Sequence, residues 1–200
     1  MRPWEIIQKL ETDNSRLFKE SVVAENISDS EFKTGLQYAL DSLVTFGVQQ
    51  VPFSENDGGG LLIEEFYEVA DKLIARELTG NAARDAIEKL SITANCDEWN
   101  DWYRRILIKD LRCGVSVKTV NGVAKGTVPV FGCMLAHDGA KHPKKIKGEC
   151  LVEYKYDGVR VIAIVQNGSA TLYSRNGKLL SNFPHIEKAL SKPEFNNFVF

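Results

Sequence analysis

The sequence has little of several features that would each place it in a class of proteins. It has four cysteines in 200 residues and no Cys-x-x-Cys pair, which argues against a disulfide-stabilised secreted domain and against the common zinc fingers. It has no apolar run long enough to span a bilayer, and no apolar signal core follows its first residues. Internal repeats and low-complexity segments are absent as well. We therefore expect a globular, cytoplasmic protein that makes no membrane contact.

The chain also has no excess of either charge, because its formal net charge is −2. The two halves differ, however: residues 1–100 hold 9 Lys and Arg against 19 Asp and Glu, whereas residues 101–200 hold 16 against 8. A basic stretch over residues 104–147 is suited to following a phosphate backbone. Its basic residues on neighbouring turns are Arg104, Arg105, Lys109 and Arg112. The alternative is an ordinary solvated helix surface.

Helical patterning dominates the first 130 residues or so. Ser28 and Glu31 form a capping-box pattern, and apolar residues follow at helical spacing, at Phe32, Leu36, Leu40, Leu43 and Val44. The segment Asp57-Gly58-Gly59-Gly60 interrupts the pattern, which resumes over residues 61–78. Near Lys125-Gly126-Thr127-Val128-Pro129, glycine and proline end it. We predict one domain over residues 1–128 and a second over residues 129–200, with its first strand over residues 131–136.

The segment Glu153-Tyr154-Lys155-Tyr156-Asp157-Gly158-Val159-Arg160 is the most informative part of the chain. Its β-branched and aromatic residues predict a strand, whose alternation puts Glu153, Lys155 and Asp157 on one face. A lysine acts as a nucleophile only as the neutral amine, so its pKa must be depressed by burial or by nearby cations. The alternative is a lysine paired with two acidic neighbours at a strand end.

A β-hairpin is predicted directly after this segment. Residues 159–166 form a strand-like run, Asn167-Gly168 is a strong two-residue turn signal, and residues 169–174 return. With such a turn, Arg160 lies opposite Arg175, and facing like charges destabilise a ladder unless an anion lies between them. Phosphate suits paired guanidinium groups. The alternative is a register slipped by one residue, which would separate the arginines. A second turn is predicted at Asn176-Gly177.

At this point the residues resemble a known family. The segment from Glu153 to Arg160 is similar to the K-x-D-G-x-R signature of ATP-dependent DNA ligases, and Ser174-Arg175-Asn176 is similar to their next motif. RNA ligases and capping guanylyltransferases share K-x-D-G. The long helical region before it instead resembles the DNA-binding domain of longer ligases, including those of large tailed phages. The implied fold is α+β: an all-α DNA-binding domain, then the first, mostly antiparallel β part of an ATP-grasp-like adenylation (nucleotidyltransferase) domain.

The resemblance implies a role for each matching residue. Lys155 would attack the α-phosphate of ATP, expel pyrophosphate and hold AMP, and Mg²⁺ would assist. Glu153 would accept a hydrogen bond from the adenine amino group, while Arg160 and Arg175 would contact the phosphate and sugar of the nucleotide. The AMP would then pass to the 5′-phosphate of nicked double-stranded DNA. The implied location is the cytoplasm of a bacterium or of a phage-infected host.

Two helix junctions in the first domain are candidate DNA contacts. Gly80 is expected to end one helix and Asn81 to cap the next, and Ser116 is expected to cap another. Helix amino termini favour phosphate without selecting a base sequence. Both junctions resemble segments of the ligase DNA-binding domain, which implies contacts through Thr79, Asn81, Arg112, Gly114 and Ser116. From spacing alone, each junction is an ordinary turn between helices.

The family carries further parts downstream of the last matching motif: metal-binding carboxylates, a stacking aromatic residue, lysines of the last motifs and an OB domain. We therefore expect no metal site in this chain, an incomplete second domain, and a possible second polypeptide that supplies the rest. We also expect the chain alone not to seal nicks and to self-adenylate poorly if at all. The alternatives are an RNA ligase or capping-type nucleotidyltransferase, and a non-catalytic DNA-binding fragment.

Overall fold

The structure, a computed structural model, describes residues 1–55, 57–133, 137–154, 157–192, 195 and 197–199. The chain divides into two compact units, Met1–Val130 and Phe131–Phe200. Helices form the first unit, and the second contains a small antiparallel sheet. The chain is thus of mixed α and β content, as predicted. In the described part of the chain, no helix has both the length and the apolar character needed to cross a bilayer.

The first unit is built around a buried aromatic cluster. Its helices are α1 (Pro3–Glu11), α2 (Arg16–Asn26), α3 (Ser30–Leu40), α4 (Ile63–Ile74), α5 (Gly80–Thr93), α6 (Cys96–Glu98), α7 (Arg104–Leu107) and α8 (Val117–Val123). A π-helical turn, Trp99–Tyr103, joins α6 to α7 and buries Trp99, Trp102 and Tyr103. Trp102 stacks on Phe32 of α3 with ring centroids 5.7 Å apart. All three side chains belong to the same hydrophobic core.

The helix boundaries differ from the predicted ones by one to several residues. Asp29, not Ser28, caps α3, because its carboxylate accepts a hydrogen bond from the Phe32 amide at 2.8 Å. The helix ends at Leu40, so Leu43 and Val44 lie beyond it. Helix α4 ends at Ile74, well before Gly80, because Arg76 takes a left-handed conformation, with φ of 64°. Thr79, not Asn81, precedes α5 as its N-cap.

The glycine segment after residue 57 closes the end of α5. The amides of Gly58 and Gly60 donate to the carbonyls of Ala94 and Thr93, each at 3.2 Å. A Cβ at Gly58 would come within 2.3 Å of the Thr93 carbonyl oxygen, so a side chain does not fit there. The predicted interruption of the helical pattern is therefore confirmed. Its glycine amides also donate hydrogen bonds to carbonyls that the end of α5 leaves unpaired.

A half-buried carboxyl group gives the first unit a dependence on pH. Tyr103 donates to Glu31 at 3.1 Å. Burial, opposed by this hydrogen bond, raises the pKa of Glu31 above its ordinary value. A raised pKa means that the fold favours the protonated acid. The stabilising contribution is therefore complete below the unfolded-state pKa, near 4.5, and is lost as the pH rises through the folded-state value.

We expect Glu31→Gln to mimic the protonated acid and to raise the melting temperature at pH 7. A rise of about 2 °C corresponds to a change below 1 kcal/mol in a chain of this size. At pH 4 the variant and the parent protein should melt together. Calorimetry at the two pH values measures both quantities. A variant less stable than the parent at pH 7 would contradict this interpretation of Glu31.

The second unit contains the predicted hairpin in the predicted register. Strands β1 (Val161–Gln166), β2 (Ser169–Ser174) and β3 (Phe198–Val199) are all antiparallel, in the order β2-β1-β3. Val161 pairs with Ser174 and Gln166 with Ser169, which is the register expected for a two-residue turn. Asn167 and Gly168 both have positive φ, 51° and 74°, as a type I′ turn requires. Helix α9 (Pro184–Leu190) lies between β2 and β3 in the sequence.

The second predicted turn is also confirmed. The predicted strand start at residue 159 and the predicted strand over residues 131–133 are not. After Asn176-Gly177 the chain returns along β2, and the Ser174 amide donates to the Lys178 carbonyl at 2.8 Å. Strand β1 begins at Val161, two residues later than predicted. Residues 131–133 are not a strand, and residues 134–136 of that prediction lie outside the described residues.

Candidate functional site

Two of the residues proposed for nucleotide chemistry, Arg160 and Arg175, flank one end of the hairpin. The ladder ends at the pair Val161 and Ser174, so Arg160 immediately precedes β1 and Arg175 immediately follows β2. Both arginines are exposed. Antiparallel pairing thus brings the two chain positions to the same end of the ladder, as the turn chemistry predicted. Lys155 and Tyr156, whose placement the sequence also predicted, lie outside the described residues.

The segment on either side of Lys155 is not the predicted strand. Residues 151–154 and 157–160 have no regular secondary structure, and Gly158 lies at a bend. Leu151, Val152 and Tyr154 are 94%, 95% and 89% exposed, so burial does not alternate along the segment. A strand needs a hydrogen-bonded neighbour. In the described chain, β1 has β2 on one side and β3 on the other, and residues 151–154 pair with none of them.

The structure therefore separates the predicted site residues into two groups. Register places Arg160 and Arg175 at one end of the ladder, whereas Glu153 and Asp157 are exposed residues without regular secondary structure. Among the described residues, no group of three His, Cys, Asp or Glu side chains is arranged to hold a metal ion. All four cysteines are free thiols.

The first candidate DNA contact is the start of α5. Thr79, Gly80 and Asn81 are exposed, and the Thr79 side chain makes no capping hydrogen bond. The first amides of an α-helix have no partner within the helix. The arrangement leaves this helix start accessible to a phosphate, although Asn81 lies inside the helix instead of capping it.

The second candidate DNA contact is the loop before α8. Ser116 caps α8 as predicted, because its hydroxyl accepts from the Thr119 amide at 3.3 Å. Arg112 and Gly114 both have positive φ, 55° and 69°. The buried Lys19 side chain supports the loop from beneath: its ammonium donates to Asn14 at 2.9 Å and lies 2.4 Å from where a Cβ on Gly114 would be. The sequence pattern did not indicate the contribution of Lys19.

We expect Gly114→Ala to destabilise the first unit by about 1 kcal/mol, because alanine is strained at positive φ and the new methyl group would press on Lys19. Gly122→Ala is the matched control: Gly122 lies within α8, and its Cβ would come no closer than 3.9 Å to another residue. Alanine there should be neutral or stabilising. Urea unfolding measures the free energy of unfolding of each variant. Equal stabilities for the two variants would contradict the inference that the fold requires the positive φ of Gly114 and the space beside Lys19.

Two of the basic residues predicted to follow a phosphate backbone, Arg105 and Lys109, instead bind partners inside the first unit. Arg105 is 8% exposed and pairs with Glu11 at 2.6 Å and with Asp101 at 2.5 Å. Lys109 donates to the carbonyls of Tyr38 and Asp41, at 2.9 and 2.7 Å, and so closes the end of α3. Burial lowers the pKa of Lys109. Arg104 is also largely buried, at 9% exposure, whereas Arg112 is exposed.

Comparisons with known proteins agree on one family. Residues 133–198 match the family described as "ATP dependent DNA ligase domain". The DNA ligases of Enterobacteria phages T4 and T6 are each 30% identical over 182 residues, which cover 87% of this chain and 36% of theirs. The solved structures named Pmar-Lig_Pre. and Pmar-Lig_PreS3 are each 47% identical, with a TM-score of 0.87 over 96% of this chain and 46% of theirs. The chain thus spans about a third of the length of these curated relatives.

Proposed function

We propose that this chain, which belongs to the ATP-dependent DNA ligase family, takes part in sealing nicks in duplex DNA through a lysine-bound AMP. The observation that carries the proposal is the coincidence of the family match with the motif: residues 133–198 contain Glu153, Lys155, Arg160 and Arg175. The hairpin register adds that both arginines lie at one end of one ladder.

In this proposal the second unit carries the nucleotide chemistry. The neutral amine of Lys155 attacks the α-phosphorus of ATP, a P–N bond forms, and the bond to the leaving pyrophosphate breaks. Glu153 accepts from the adenine amino group. Arg160 and Arg175 bind phosphate and sugar, since guanidinium groups donate paired hydrogen bonds to phosphate oxygens. When Mg²⁺ is bound, it stabilises charge on the leaving group.

The first unit supplies DNA binding in this proposal. The exposed start of α5 and the loop before α8 offer amides and Arg112 to the phosphate backbone. Contacts of this kind position a protein on DNA without selecting a base sequence. We accordingly propose DNA binding for residues 1–128 and the amino-terminal part of an adenylation domain for residues 129–200.

Two measurements on the 200-residue chain test the proposal. Incubation with Mg²⁺ and ATP labelled at the α-phosphate should give slow, sub-stoichiometric covalent labelling of the chain, whereas a γ-label should give none because it leaves with pyrophosphate. Nicked duplex DNA should bind more tightly than nicked RNA of the same sequence. Labelling from the γ-position would contradict the chemistry, and a preference for RNA would favour an RNA ligase or capping-type enzyme.

A further inference from the structure

A cleft of about 940 Å³ lies within the first unit. One wall is the segment of residues 49–55, which has no regular secondary structure, and the other is a face of α5 that includes Arg84 and Glu88. Arg104, Ile108 and Arg112 complete the lining. Of the two helix junctions described above, the first contributes no residue to the cleft lining and the second contributes Arg112. The lining carries three arginines against two glutamates, Glu55 and Glu88.

Arg104 is the unusual residue in this cleft. It is 9% exposed, its Nε donates to the Val51 carbonyl at 3.1 Å, and its Cζ lies 3.6 Å from the centre of the Phe53 ring. Among the described residues, no carboxylate oxygen lies within 4.0 Å of its guanidinium nitrogens. A carbonyl and an aromatic face therefore hold the side chain in place, and no carboxylate among the described residues pairs with its positive charge.

The neighbouring Arg105 shows what a compensated buried arginine looks like in the same helix. It has two carboxylate partners, Glu11 and Asp101. Burying a charge is unfavourable unless a partner compensates it. Burial, together with the charges of Arg112 and Arg105, lowers the pKa of Arg104. The site around Arg104 is thus electrostatically incomplete, and an anion would complete it.

The rest of the cleft indicates which anion fits. Arg84 and Arg112 are exposed and can donate from the rim. Phe53 and Ile92, which are 63% and 53% exposed, add apolar surface beside them. A phosphate flanked by sugar rings presents the same alternation of charged and apolar surface. A small inorganic anion would use the arginines alone and leave the apolar surface uncovered.

We propose that this cleft is a phosphate-binding site, in which Arg104 contacts a phosphodiester of a bound DNA strand, Arg84 and Arg112 contact it from the rim, and Phe53 packs on the adjoining sugar. The proposal rests on the proposed function, because it takes DNA to be the ligand of the first unit. It extends the DNA-contacting surface beyond the two helix junctions to the face of α5 that lines the cleft.

Variants of single charges on α5 test the site without disturbing the core. In fluorescence anisotropy with nicked duplex DNA, Arg84→Gln should bind about fivefold more weakly and reduce the slope of log K against log salt by about 0.9, one phosphate contact. Glu88→Gln, which removes an anion from the same wall, should bind about twofold more tightly. Lys89→Gln is the matched control, because Lys89 is exposed on α5 but does not line the cleft.

A second measurement reports on Arg104 itself and distinguishes DNA from free phosphates. The Nε–H resonance of Arg104 is followed by NMR in the 200-residue chain during titration with nicked DNA, ATP and inorganic phosphate. We expect DNA to shift it at micromolar concentration, and the two small phosphates only far above that. Arg104→Gln, checked for folding by its melting temperature, should weaken DNA binding by about tenfold or more.

The outcomes separate the cleft from the proposed function. If nicked DNA binds while Arg84→Gln, Glu88→Gln and Lys89→Gln all match the parent and the Arg104 resonance is unchanged, the cleft assignment is wrong and DNA binding stands. If DNA fails to bind but ATP or phosphate shifts the Arg104 resonance, the site takes free phosphate compounds and the DNA assignment is wrong. If no ligand produces a shift, the cleft assignment is overturned, and absence of DNA binding in the same experiment overturns the proposed role of the first unit.

Discussion

Lys155→Ala is expected to abolish covalent transfer of AMP from ATP to the chain. The proposed reaction forms its P–N bond at one amine, and Lys155 is the one lysine of the signature. Lys155→Arg should be equally inactive, because a guanidinium is not deprotonated in proteins. Labelling by the parent protein should increase with pH, since only the neutral amine attacks. The expected loss is complete, within the detection limit of the labelled band.

Lys147→Ala is the control for this experiment. Lys147 is exposed and lies in a short basic segment, residues 141–147, that precedes the signature, so its removal should leave most of the labelling intact. A label of equal intensity in Lys155→Ala and in the parent protein would contradict the assignment. DNA binding should be unchanged in the Lys155 variants, because the proposal assigns DNA binding to the other unit.

Arg105→Ala is expected to lower the free energy of unfolding of the first unit by about 3 kcal/mol, the largest stability effect that we predict. The side chain is 10% exposed and pairs with Glu11 and Asp101, and it also donates to the Leu111 carbonyl at 2.9 Å. Its removal leaves a partly buried carboxylate and a carbonyl without their donor. Breaking a buried pair from one side typically costs about 3–5 kcal/mol, and we take the lower end because Glu11 can regain water.

Arg16→Ala tests whether burial is what makes the difference. Arg16 also pairs with a glutamate, Glu20 at 2.7 Å, but its side chain is 72% exposed. Exposed pairs contribute roughly 0–1 kcal/mol, so this variant should unfold at nearly the same urea concentration as the parent. Equal losses for the two variants would contradict the internal role assigned to Arg105. At temperatures where Arg105→Ala remains folded, its affinity for DNA should stay close to that of the parent.

Sequence reasoning succeeded where local chemistry determines the structure. Asn167-Gly168 requires two residues at positive φ, and that requirement alone set the register that brings Arg160 and Arg175 to one end of the ladder. Ser116 was likewise predicted from local chemistry, because a hydroxyl one residue before a helix can accept a hydrogen bond from an amide of the first turn, here that of Thr119. Asp29 shows the limit of such patterns, since it outcompetes Ser28 at the adjacent position.

Sequence reasoning failed where the partner is distant along the chain. Arg105 and Lys109 have the spacing of a basic helix face, but their partners, Glu11 and the carbonyls of Tyr38 and Asp41, lie about 70 to 95 residues away. The predicted strand around Lys155 likewise depended on a neighbouring strand that no local pattern specifies. The sequence also did not predict that Arg104 differs from Arg105, because residue spacing does not show which arginine has a carboxylate partner.

The reactivity of the Lys155 amine can be measured directly. After incubation with ATP and Mg²⁺, the chain is digested with trypsin and analysed by mass spectrometry. We expect AMP on the peptide of residues 148–160, with cleavage blocked at Lys155 and fragment ions that place the modification on that lysine. AMP carried by a different residue would contradict the lysine–AMP mechanism proposed for this chain.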